Sequence, residues 1–310
     1  MDVSVIIVSW NTRDILRECL ESIAEQTRRV TCEIIVVDNA SSDDTVEMLE
    51  RDFPQVTVVE NEENLGFSRG NNIGIDRSSG RYMALVNSDV ILLDGCLDRM
   101  VDYMDGHPKT GMAGPRVLNR DGSLQVSCRR FPTLWNNFCQ AIGLNYLFPK
   151  SPLFSEPFMK YWAHDHERDV DVLSGCFWMI RREALDEVGL LDETFFFYGE
   201  DIDWCRRFDK ADWDVMFYPG AEAIHLGGAS SRRMPIKFYL ELQKADLHYW
   251  CKHHGKLGRF ANACIITFRH ALRLVSGSVL YMLKPSQRPE IGYKIKRNAA
   301  CLRWLFLSAS

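Results

Sequence analysis

Four short apolar runs that end abruptly in polar residues constrain this chain more than anything else in it. Residues 3–8, 33–37, 56–59 and 82–86 are rich in β-branched side chains and do not alternate with polar ones. Strands buried on both faces of a parallel sheet read this way. Helix-length segments separate them. Residues 12–26 set Ile15, Leu16, Cys19, Leu20 and Ile23 along one face. A second helix runs through Leu49, with Ser41 or Ser42 as its cap and Asp43 and Asp44 in its first turn. Residues 68–78 form a third, stopped near Gly80, and 94–104 a fourth. The order β-α-β-α-β-α-β predicts an α/β fold, a doubly wound parallel sheet with right-handed crossovers.

Beyond that half, residues 111–131 read as a strand and a hairpin turning at Arg120-Asp121-Gly122. Residues 134–168 are rich in aromatics and prolines without a clear period, and are expected to form an irregular insertion that shapes the acceptor side. Residues 170–180 predict a strand, 182–188 and 200–210 helices, and 214–218 a further strand. Helices are expected over 236–254, 257–283 and 288–307, broken at Gly255 and Pro285. A catalytic domain over 1–230 follows, nucleotide-binding to about residue 115 and acceptor-binding from about 116, with a helical extension over 231–310.

Charge separates these parts. Residues 231–310 hold 15 Lys and Arg against 3 Asp and Glu, net +12, and the remainder 22 against 39, net −17, which recovers the overall −5. The basic part carries no nucleic-acid motif, and its cations are interleaved with Phe, Leu, Trp and Tyr, which suits an anionic membrane surface. A solvated helical hairpin is the alternative. The longest apolar stretch, 272–283, is interrupted by Arg273 and falls short of the ~18–20 residues that cross a bilayer. Nothing basic precedes the run at 3–8, which reads as a strand and not a signal peptide. The ten cysteines form no CxxC pair, and Cys19, Cys96 and Cys264 sit in apolar patterns. Buried reduced thiols in a reducing compartment are expected.

In open α/β sheets, ligands bind beyond the carboxyl ends of the strands. There stand Ser9-Trp10-Asn11, Asp38-Asn39-Ala40-Ser41-Ser42-Asp43 and Asn87-Ser88-Asp89. Asp38 suits the imide N–H of a pyrimidine base. Asn64, Gly66, Gly70 and Asn71 lead into a helix start, either a common turn or a loop that approaches a phosphate. Asp89 suits a hard divalent cation on a diphosphate, or a turn. His225 ends the apolar run 221–224 with Gly227 and Gly228 behind it; a lone histidine is more often structural. Glu200, Asp201 and Asp203 open a helix, where acids are stabilising on their own. The aromatic run 195–198 just before them offers surroundings that can raise a carboxyl pKa toward that of a general base.

In this order the clusters resemble family 2 glycosyltransferases of the GT-A fold, and bacterial rhamnosyltransferase-like members in particular. The segments VSVIIVSWN, EIIVVDNASSDDT, NLGFSRGNN, LVNSD, SGCFWMIRREAL, FFFYGEDIDWCRR and IHLGGAS carry the resemblance across residues 2–230. It implies that Ser9, Trp10, Asn11 and Asp38 contact the nucleoside, that Asn64, Gly66, Gly70 and Asn71 line its pocket, and that Asp89 with His225 holds Mg²⁺ or Mn²⁺. Asp201 is then the base, Glu200 and Asp203 support acceptor binding or orientation, and Asn87, Gly175 and Trp178 stand on the substrate side. Asn87 replaces the first acid of the family's DxD motif. The implied activity is inverting transfer from a dTDP- or UDP-sugar, with rhamnose the candidate sugar, to a saccharide or lipid-linked acceptor in surface-polysaccharide synthesis. The implied location is cytoplasmic, peripheral on the inner face of the membrane. A sugar nucleotidyltransferase would carry a Gly-rich basic loop where Ser9-Trp10-Asn11-Thr12 stands, and the Glu200-Asp201 pair opposes a non-catalytic nucleotide-sugar-binding protein.

Overall fold

The computed structural model describes residues 1–155, 157, 159–196, 198–227 and 235–307. The chain divides into two compact units, Met1–Phe131 with Trp162–Arg232, and Pro132–Tyr161 with Arg233–Ser310. Residues 132–161 therefore group with the C-terminal helices and not with the body that they interrupt.

The first unit begins as its apolar periodicity dictates. Strands β1 (Val3–Ser9), β2 (Cys32–Asp38), β3 (Thr57–Glu60) and β4 (Tyr82–Val86) pair in parallel in the order β3-β2-β1-β4. Helices α1 (Arg13–Gln26), α2 (Thr45–Asp52) and α3 (Gly66–Asp76) connect them. Val3, Val5, Ile7, Leu16, Leu20, Val36 and Leu49 form one core with no more than 1% exposure, each side chain worth about 1.5–3 kcal/mol on burial. The cap of α2 differs from expectation. Its N-cap is Asp44 at φ 57°, with no side-chain cap bond, because the Ser41 hydroxyl accepts from Asn11 N–H and Ser42 donates to Asn11 Oδ1.

After β4 the sheet becomes mixed. Short β5 (Val90–Leu92) precedes α4 (Cys96–Gly106) and β6 (Thr110–Leu118). A two-residue β7 (Cys128–Arg129) pairs with β9 (Val172–Leu173), apart from the main sheet. β8 (Arg168–Asp169) pairs with β11. β10 (Phe177–Arg181) runs antiparallel to both β4 and β6. The expected strand over 170–180 is thus two strands that split at residues 174–176. Helices α8 (Arg182–Val188) and α9 (Glu200–Lys210) lead to β11 (Asp214–His225), far longer than the predicted 214–218. The order across the sheet is β3-β2-β1-β4-β10-β6-β11-β5.

In the second unit, the stretch expected to be irregular opens with helices α5 (Leu134–Ile142), α6 (Leu144–Leu147) and α7 (Pro152–Ser155). Thr133 caps α5 by accepting from Asn136 N–H. Helix α10 (Pro235–Leu283) bends at Gly255, φ 69°, and α11 (Arg288–Leu307) follows a 3₁₀ turn at Pro285–Gln287, so both breaks fall where the sequence puts them. α10 holds an 18-residue window of mean hydropathy 1.3, long and apolar enough to cross a membrane by length and composition; the 272–283 run alone understates it. All ten cysteines are free, and Cys264, expected to be buried, is exposed.

Candidate active site

The carboxyl edge of the parallel strands gathers the first polar clusters. Ser9 and Asp38 are Cα partners in adjacent strands. Hydrogen bonds continue sideways from Ser9 Oγ to Thr12 Oγ1 and on to Ser88 Oγ, each 3.0 Å, so the ends of β1, β2 and β4 form one connected edge. Asn11 (φ 54°) and Ala40 (φ 58°) turn in the left-handed region directly after their strands. Such backbone costs on the order of 1–3 kcal/mol and concentrates at working sites. Trp10 is half-buried.

Asp38 is 2% exposed. Its Oδ2 accepts from Ser41 N–H at 2.8 Å, while its Oδ1 is buried without a hydrogen-bond partner. A buried acceptor left unpaired costs about 1–3 kcal/mol, a penalty that a ligand N–H would remove. Asn64 and its loop play a supporting part: Asn64 Oδ1 accepts from Gly66 N–H at 2.9 Å, and Asn39 donates to Gly66 O at 3.1 Å.

Four expected contacts need correction. Gly70 lies against β1, where an added Cβ would meet Val8 Cγ1 at 2.9 Å; it lets α3 approach the sheet and does not cradle phosphate. Asn71 is buried and donates to Phe67 O. Trp178 is fully buried, donates its indole N–H to Leu173 O, and packs edge-on between Phe67 and Trp204. It ties α3 to α9 and does not face a substrate. Gly175 makes room for it, since a Cβ there would sit 3.2 Å from the indole.

Asp89 and His225 meet as expected. His225 ends β11 opposite Val90, and its Nε2 lies 3.3 Å from Asp89 Oδ1 and 3.5 Å from Asn87 Nδ2. Gln125 Nε2 donates to Asn119 Oδ1 and to His225 O, which leaves Gln125 Oε1 to accept from His225 Nδ1–H at 2.6 Å. In that tautomer the Nε2 lone pair faces the Asp89 carboxylate. Two lone pairs so close need a proton or a cation between them, so these residues fit a divalent ion. Among the described residues no three His, Cys, Asp or Glu side chains are grouped for a metal. The pair suits an ion that arrives with phosphate oxygens and keeps its waters. Gly228, part of the same motif, lies outside the described residues.

At the start of α9, Tyr198 (φ 72°) and Gly199 (φ 87°) turn the chain so that Glu200 and Asp201 occupy the first helical turn. Asp201 Oδ1 accepts from Ile202 N–H, and Oδ2 forms an ion pair with Arg129, a partner 72 residues away that sequence periodicity does not reveal. Glu200 Oε2 is buried and unpartnered. Burial, and then the charge of Asp201, push the Glu200 carboxyl up to about 8. The raised pKa thus falls on Glu200, beside the residue expected to be the base. Asp203 is fully buried in an ion pair with Arg207, which in turn donates to Val188 O and Leu190 O. It fastens α9 to the preceding loop and is not an acceptor contact.

The sequence profile described as Glycosyl transferase family 2 matches residues 4–189. The chain belongs to this family. It is 28% identical over 262 residues to an N-acetylglucosaminyl-diphospho-decaprenol L-rhamnosyltransferase of Mycobacterium tuberculosis, covering 81% of this chain and 84% of the relative. Identity to the rhamnosyltransferase WbbL of Escherichia coli K12 is 25%, over 80% of this chain and 92% of that one. Among solved structures, a mannosyltransferase of Pyrobaculum calidifontis in complex with GDP-Man and Mn²⁺ superposes with a TM-score of 0.56 at 18% identity, over 97% of this chain and 87% of the other. A GalNAc-T7 structure with UDP, GalNAc and Mn²⁺ gives 0.56 at 17% identity, over 81% of this chain and 50% of the other. This family 2 member is therefore a glycosyltransferase of rhamnosyltransferase-like sequence and GT-A architecture, with relatives in glycan synthesis.

Proposed function

We propose that this glycosyltransferase moves a sugar, rhamnose foremost, from a dTDP- or UDP-linked donor to a hydroxyl of a lipid-linked saccharide, with inversion and with Mg²⁺ or Mn²⁺. The observation that carries the reading is the unpartnered Asp38 Oδ1 at the strand edge, joined through Ser9, Thr12 and Ser88 to the neighbour of Asp89. It matches a pyrimidine imide N–H at one end of a donor and a diphosphate at the other. The named substrates of the mycobacterial relative supply the lipid-linked acceptor.

Asp38 fixes the base while the β1 and β2 loops close around the ribose. Asp89 and His225 Nε2 hold the ion, which when bound offsets the charge that gathers on the departing diphosphate. Asp201 accepts the proton of the acceptor hydroxyl as its oxygen attacks the anomeric carbon opposite the leaving group, so that one displacement inverts the centre. For this, Arg129 must release or share the Asp201 carboxylate when the acceptor enters. Glu200, held neutral below about pH 8 by burial, keeps a second negative charge away from that carboxylate. A lipid-linked acceptor suits an enzyme that works at the inner face of the membrane, with the basic C-terminal part against anionic lipid. Asp201→Asn is expected to lower transfer by about 10²–10⁴-fold, the usual contribution of a positioned base, with nucleotide binding measured by calorimetry unchanged. Near-normal turnover would overturn the assignment.

A further inference from the structure

The second unit hides polar side chains and displays apolar ones. Gln243, Asn262, His270 and Asn298 are buried, and they bond to one another or to near neighbours. His270 Nδ1–H donates to Asn298 Oδ1 at 2.8 Å, and Asn262 donates to Asp246 at 3.1 Å. Outside, Leu257, Phe260, Phe268, Val275, Val279 and Met282 are 45–80% exposed. At ~100° per residue these six fall within a stripe about 100° wide, which runs ~38 Å along α10.

The stripe does not end with α10. On α5, Trp135, Phe138 and Ile142 share a face at i, i+3 and i+7 and are also exposed. The Phe138 ring stacks on Phe268 at 6.5 Å, and Trp135 lies 6.2 Å from Phe138. Asn137 bonds to Asn262 at 2.8 Å behind them. Two stretches more than a hundred residues apart in sequence thus make one apolar surface. Monomeric soluble proteins rarely expose contiguous patches above a few hundred Å². Charge decides what covers this one. Residues 231–310 carry net +12, so a second copy laid on the face would oppose like charges, whereas an anionic bilayer complements them. Only 11% of the apolar window in α10 is buried.

We propose that this joint α5–α10 surface seats in the headgroup–acyl boundary of an anionic bilayer, held by inserted apolar side chains with charge as an auxiliary. The inference rests on the membrane contact proposed above and deepens it in two ways. It makes residues 134–142 part of the contact, where sequence reading gave them an acceptor-shaping role, and it predicts insertion where a basic tail alone predicts adsorption.

The test sediments the full chain with vesicles of phosphatidylglycerol and phosphatidylcholine, with and without molar sodium chloride. Acyl-brominated lipid serves as a depth probe for tryptophan. Binding should persist in salt, and bromine should quench a fluorescence component that Trp135→Phe removes. Phe138→Glu with Val275→Glu should cut partitioning by at least ~10-fold through lost apolar burial. The unfolding temperature should fall only slightly, through the lost Phe138–Phe268 contact, and Val275→Glu alone, at a more exposed position, should weaken binding with no such fall. Binding that vanishes in salt without quenching would leave charge-only contact standing and overturn insertion. No binding in any condition would overturn both. Dimerisation without vesicles, abolished by Phe138→Glu, would give the face to a second copy and overturn the proposal.

Discussion

In the first unit the deepest residues are aliphatic and aromatic, and polar groups crowd the carboxyl edge of the sheet; in the second, amides and a histidine lie between helices while Trp135, Phe138, Phe260 and Phe268 are exposed. The difference follows from how each unit is built. A parallel sheet buries both faces and leaves only its strand ends for chemistry. A helix pair whose outer face is apolar keeps its polar side chains inside, where they must satisfy one another. Even in the first unit, polar residues near the edge divide into those with an unpartnered atom, such as Asp38 Oδ1, and those already held in an ion pair, such as Asp203.

That division is most sharply broken at Asp203. Its carboxylate is fully buried against Arg207, so Asp203→Ala leaves a guanidinium without its counter-charge. A loss of about 3–5 kcal/mol is expected on removing one partner of a buried pair, read by urea unfolding. If the variant unfolds normally but fails with acceptor, Asp203 belongs to the site after all.

The carboxylate pair one turn earlier sharpens the comparison through pH. Glu200 ordinarily titrates near 4.5, and burial together with Asp201 raises it to about 8 in the folded chain. The native state therefore holds a proton that the unfolded chain has released between those values. Its contribution is complete below about 4.5 and is lost as pH rises through about 8. The slope is at most ~1.4 kcal/mol per pH unit for one proton. Glu200→Gln should flatten the decline in unfolding temperature over this window and raise stability at its upper end. A wild-type curve that is already flat there would remove the neutral Glu200 from the mechanism.

These residues also mark how far the sequence alone reaches. Strands β1 to β4 and helices α1 and α9 are legible because burial on one or both faces writes a period into the chain. The pairing of Asp89 with His225 is legible only as a family pattern, since β11 brings them together over a long separation. The Asp201–Arg129 ion pair is not legible, because β7 is two residues long and has no period to show. Trp178 misleads for a related reason: the resemblance puts it on the substrate side, and only packing between Phe67 and Trp204 reveals a brace. Residues 134–154 look irregular because α5 is apolar on its outer face, so the usual inside-outside contrast is missing.

The smallest expected effect tests whether the second unit's polar interior is needed for stability or is only tolerated. His270 is buried, and burial lowers its pKa to about 4, so it stays neutral when folded. Its contribution is present above the ordinary value of 6.5 and is lost as pH falls from there through about 4, where the unfolded chain takes up the proton first. His270→Leu alone strands Asn298 Oδ1 and should cost about 1–3 kcal/mol. Adding Asn298→Leu removes the stranded group as well as its partner, and the pair together should be nearly neutral while the acid-side decline flattens. Recovery in the double variant would mean that the interior needs satisfied groups and not these particular ones. A double variant that stays as unstable as the single one would mean that the polar contacts specify the packing of α10 on α11, and the contrast between the two units would then be one of core design as well as of surface.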